Sequence, residues 1–170
     1  MTMPPRLRKL ALTAHVTASV GWLGAVVAYL ALAVAGLSSP SAPLVRAAYL
    51  AMDLLGWMVI VPACLAALVS GLVQSLTTEW GVFRHYWLVA KLALTLVATC
   101  VLLLHMPSAT RMARLAIDAV LSGGDHRLLR MQLVLHALGG LAILLTATTP
   151  SIYKPFGRTP YGQRVRVRPS

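Results

Sequence analysis

Apolar residues run almost unbroken through four stretches of the chain, and polar residues collect between them. The stretches are 10–37, 45–75, 83–106 and 128–149. Each reaches the roughly 20 residues that a helix, rising ~1.5 Å per residue, needs to cross a hydrocarbon core. The pattern therefore predicts an all-α fold, a polytopic membrane four-helix bundle. The turn from Ser38 to Pro43 and the prolines Pro107 and Pro150 mark the breaks. Pro62 falls in the middle of the second span and predicts a kink there.

One further stretch, 108–121, has a different pattern. Met112, Leu115, Ala116, Ala119 and Val120 recur at helical spacing, while Arg111, Arg114 and Asp118 take the other side. It is too short to span, so it predicts a short interfacial amphipathic helix between spans three and four. The tail 151–170 interleaves Lys154, Arg158, Arg164, Arg166 and Arg168 with Tyr153, Phe156 and Tyr161. That composition suits an anchor on anionic lipid. No internal repeat divides the chain, and residues 1–170 read as a single membrane domain.

Composition sharpens this picture. Of 170 residues, 58% are hydrophobic and 11% charged, which excludes an ordinary soluble domain. The net charge of +11 sits in the connections and tails, as the positive-inside rule and attraction to lipid require. Nucleic acid is not an expected partner. With four spans both termini share one side, which carries nine Lys and Arg residues against five on the other. The balance predicts the plasma (cell) membrane with both termini cytoplasmic. The cysteines Cys64 and Cys100 lie inside apolar spans, and no CxxC or zinc spacing exists.

The candidate chemistry lies in ionisable groups within the spans, where such groups are costly and need a partner or a task. His15 and Lys91 fall towards the inner side, Asp53, His105 and His136 towards the outer side. Lys91 and His105 are 14 residues apart, so they differ by only about 40° around their helix. His85 points nearly the opposite way, and His126 lies in a polar connection. Neutral imidazoles projecting into a four-helix bundle suit haem iron. The expectation is a b-type haem held by His15, His105 and His136 in some combination, in electron transfer or redox chemistry. Asp53 is placed to orient a ligand histidine, and Lys91 or Arg130 to pair with a propionate. Copper on the same histidines, in a copper or small-ion transport component, is the alternative, and a non-catalytic membrane partner subunit a third. A homo-oligomer or a separate redox partner stays open. No nucleophile triad, P-loop or dinucleotide fingerprint is present, and no catalytic residue is assigned.

The stretch from Leu12 through His15 to Gly21, Trp22 and Gly24 resembles the first helix of the copper-resistance D-type membrane domains. It is also similar to the small membrane protoporphyrinogen oxidases of the HemJ type. Further correspondences to that second group are Met52-Asp53 and Pro62, then Trp87, Lys91 and His105, then Lys154-Pro155-Phe156. The Leu-Pro-Arg-Leu of its first helix and the Asn-Glu-Val-Pro of its last are absent here. The resemblance implies a four-helix haem- or metal-binding scaffold, with His15 as first ligand and Lys91 as second functional residue.

Overall fold

The computed structural model describes residues 4–77, 86–118, 125–153 and 157. His85 and the basic tail from Lys154 to Phe156 and from Arg158 onward lie outside the described residues. Helix α1 spans Pro5–Ser38, α2 Ala42–Leu55, α3 Val61–Thr77, α4 Tyr86–Ile117 and α5 Asp125–Tyr153. A π-helical turn, Gly56–Ile60, joins α2 to α3, so the two form one long element. Four helical elements are long and apolar enough to cross a membrane. The fold is the expected all-α four-helix bundle.

The helices form a ring. α1 packs on α2, α3 and α5, and α4 packs on the same three. Trp22, Val26 and Tyr29, which share one face of α1 by helical spacing, are buried. Tyr49, Met52, Ile60, Met106, Met112 and Leu133 supply much of the remaining core volume. Two glycines allow close approach. A Cβ on Gly36 would lie 2.6 Å from Cζ of Tyr49, and one on Gly56 would lie 2.5 Å from Cε of Met106.

The kink expected at Pro62 takes the form of the π turn. Proline has no N–H to give to the carbonyl four residues back, and its ring crowds that carbonyl. The chain widens by one residue instead, and the Val61 N–H reaches the Gly56 carbonyl.

Residues 108–117 correct the expectation of a separate interfacial helix. They are helical and amphipathic, but they continue α4 straight through Pro107. The apolar side, Ala109, Met112, Ala113 and Ala116, is buried in the bundle rather than laid on a surface. Polar ties hold this extension to α2: Arg46 Nη2 donates to the Ile117 carbonyl at 2.9 Å, and Thr110 bonds Asp53. Packing and these ties outweigh the one backbone hydrogen bond that Pro107 removes. Likewise α5 runs past Pro150 to Tyr153.

Candidate functional site

Extending α4 to Ile117 changes the depth of His105. It lies 12 residues before the helix end, about 18 Å along the axis, and not within one turn of it. His136 lies 11 residues after the start of α5, about 16 Å along. The two helices are packed neighbours, so the imidazoles meet at one level. They stack with centroids 4.4 Å apart and planes 15° apart.

Tyr29 of α1 reaches across the ring of helices to this pair. Its hydroxyl is 3.3 Å from Nε2 of His105, and the two rings meet edge to face at 71°. His136 Nδ1 lies 2.8 Å from the carbonyl of Gln132. A carbonyl only accepts, so that nitrogen carries the proton and Nε2 keeps the lone pair. Trp22, Tyr29, His105 and His136 line a cleft walled otherwise by apolar side chains of α1, α4 and α5, with Ile60 from the π turn. The cleft's cavity volume is about 50 Å³.

His15 is in a different setting. Its Nδ1 lies 3.1 Å from the Ala67 carbonyl and 3.0 Å from Ser70 Oγ, both on α3. The Ser70 hydroxyl donates to the Ala66 carbonyl at 2.5 Å, so it accepts from the ring. The imidazole lies against Gly71, where a Cβ would sit 3.0 Å from Cε1. Lys91 is half-buried and within electrostatic reach of His15. The two residues are thus near each other, on the same side of the bundle, as their depths in the spans predict. His15 and the His105–His136 pair are in separate layers, and no one group bridges all three.

Asp53 has a different partner from the one expected. Thr110 Oγ1 donates to its Oδ1 at 2.6 Å, and Trp57 Nε1 donates to Thr110 Oγ1 at 3.1 Å. The carboxylate clasps α2 to α4 instead of orienting a histidine. Arg130 rests over the Tyr49 ring at 5.8 Å.

The stacked pair limits what metals it can hold. Imidazole lone pairs lie in the ring plane, and a metal–nitrogen bond is about 2.0–2.1 Å long. Two parallel rings cannot both aim at one ion between them. An iron or copper bridged by His105 and His136 does not fit. Among the described residues no group of three His, Cys, Asp or Glu side chains converges on a metal position. His136 keeps a lone pair on Nε2, because its other nitrogen is tied to a carbonyl, and that lone pair is the pair's one donor suited to a single metal bond.

The histidines were legible as ionisable groups within apolar spans, whereas Tyr29 and Trp22 were not marked as site residues. Thr110 and Ser70 were missed, since their partners lie 57 and 55 residues away in the chain and no local pattern signals such pairs. No protein-family model, curated protein or solved structure matches this chain.

Proposed function

We propose that the chain is an integral membrane redox protein that binds an electron-carrying ring in the His105–His136 cleft. The observation that carries this reading is the pair of stacked imidazoles with a tyrosine hydroxyl, lining a cleft in an otherwise apolar bundle. Buried imidazoles in such surroundings serve as ligands, hydrogen-bond partners or proton carriers. The likeness of the His15, Trp22 and Lys91 pattern to the copper-resistance D-type and HemJ-type membrane proteins supports the redox class. The cell membrane, with both termini cytoplasmic, is the setting that the distribution of Lys and Arg supports.

A b-type haem is one such ring. His136 would hold its iron through Nε2, since Nδ1 is tied to the Gln132 carbonyl. The cavity of about 50 Å³ is room for only about three or four waters, so a haem enters only if the helices around the cleft part. The absorption spectrum of the purified chain tests it. The expected result is a Soret band lost in His136→Ala and kept in His15→Ala, with a reduced form that binds carbon monoxide. No Soret band after expression with adequate haem removes haem from the reading. A band that survives both His105→Ala and His136→Ala removes the cleft.

A further inference from the structure

Asp53 lies inside an element long and apolar enough to cross a membrane, where a carboxylate is costly unless something answers its charge. Thr110 Oγ1 donates to its Oδ1, and the Trp57 indole N–H donates to the same hydroxyl. A hydroxyl has one proton, so the donation available along this chain ends on Oδ1. Oδ2 takes no hydrogen bond from the described residues, and on this half-buried side chain it still reaches the surface. No Lys or Arg among the described residues pairs with the carboxylate, although Arg46, Arg111 and Arg114 lie on the same two helical elements. Arg46 turns to the Ile117 carbonyl instead. The negative charge is held in place and only half answered.

The surroundings of Oδ2 indicate its complement. Asp53 and Trp57 bond the same hydroxyl, so carboxylate and indole are neighbours. Trp57 is 42% exposed, which leaves much of its ring open beside the charge. Leu54 and Met58, next to them in the chain, are exposed and apolar. An indole face attracts a cation, and the apolar side chains suit an apolar body. A hard metal ion wants six or more oxygens, whereas one carboxylate oxygen is open here. A phospholipid ammonium brings its own phosphate against the same carboxylate, and an organic cation brings no anion. We propose that Asp53 and Trp57 form a membrane-facing site for an apolar organic cation of the quaternary ammonium or phosphonium class, with Oδ2 as its counter-ion. The site shares no residue with the His105–His136 cleft and does not rest on the redox reading.

The test is equilibrium dialysis of the full chain in phosphatidylcholine nanodiscs against tetraphenylphosphonium, with empty nanodiscs as the baseline. Tetraphenylborate, of the same shape and opposite charge, is the control ion. Saturable binding of the phosphonium above the baseline is expected, and none of the borate. Asp53→Asn keeps an acceptor for Thr110 and removes the charge, and binding falls about ten-fold or more. Trp57→Leu weakens it about two- to five-fold. Asp118→Asn, just past the end of α4 and exposed, leaves it unchanged. Should Asp53→Asn not elute as a folded helical protein, Trp57→Leu and the borate comparison decide. Equal binding of the two ions, equal phosphonium binding in the wild type and the folded variant, or no saturable binding at all overturns the proposal. A loss in Asp118→Asn as large as in Asp53→Asn also overturns it, because the ion then answers the general charge of that end of the bundle.

Discussion

His15 and His105 lie in two layers of one bundle, and their surroundings use the same side chain in different ways. His15 gives its Nδ1 proton to the Ala67 carbonyl and Ser70 hydroxyl on α3, and its ring fills the space beside Gly71. The residue is committed to holding α1 against α3. His105 bonds one nitrogen to Tyr29, stacks on His136 and leaves Nδ1 without a partner. His15 is spent on tying two helices together, whereas His105 and His136 line a cleft. An intramembrane histidine is thus a candidate for function only after its partners have been counted.

The sharpest way to break this contrast is a pair of substitutions with opposite effects. His136→Ala, in the layer of His105, is expected to lose the Soret band while the bundle keeps most of its stability. His15→Ala should keep the band and lose stability. Removing its two contacts costs about 1–3 kcal/mol, a fall of roughly 2–12 °C in Tm for a chain of this size, read by thermal unfolding in detergent. If His15→Ala abolished binding and left Tm unchanged, the roles of the two layers would be reversed.

Gly36→Ala comes next and tests the packing at the far side of α1. The new methyl would meet the Tyr49 ring at its Cζ and hydroxyl, and overpacking of this kind costs about 1–3 kcal/mol. Thr110→Val removes the donor to Asp53 and the acceptor for Trp57. A loss of about 1–2 kcal/mol is expected, with no change in ring binding, because the clasp lies outside the cleft. The smallest effect is expected at Gly24→Ala, where a Cβ meets nothing within 4 Å. Stability there should hold or rise by up to about 1 kcal/mol from helix propensity alone.

The bundle itself was legible in the chain because burial in lipid demands long apolar helices, and four such runs are visible without any partner. The inward face of α1, with Trp22, Val26 and Tyr29, was legible for the same reason: helical spacing alone defines it. Pro107 misled. A proline followed by an amphipathic stretch reads as a helix end and a new surface helix. The structure instead packs Ala109, Met112 and Ala116 against the bundle and runs α4 through. Local propensity was overridden by burial that no window of sequence contains.

That one extension also decided the site. With α4 ending near Pro107, His105 would lie close to a surface, at a different depth from His136. With α4 ending at Ile117, both imidazoles fall at one level and stack. The sequence by itself determined the fold class, the span count and which ionisable residues lie within spans, since each depends on hydropathy and the 3.6-residue repeat. Only the tertiary structure decided that Asp53 belongs to Thr110, that His15 is bonded to α3, and that His105, His136 and Tyr29 share a cleft. Those outcomes depend on the relative heights of helices distant in the chain. Height is set by side-chain packing across interfaces, and one helix's residues carry only half of that information.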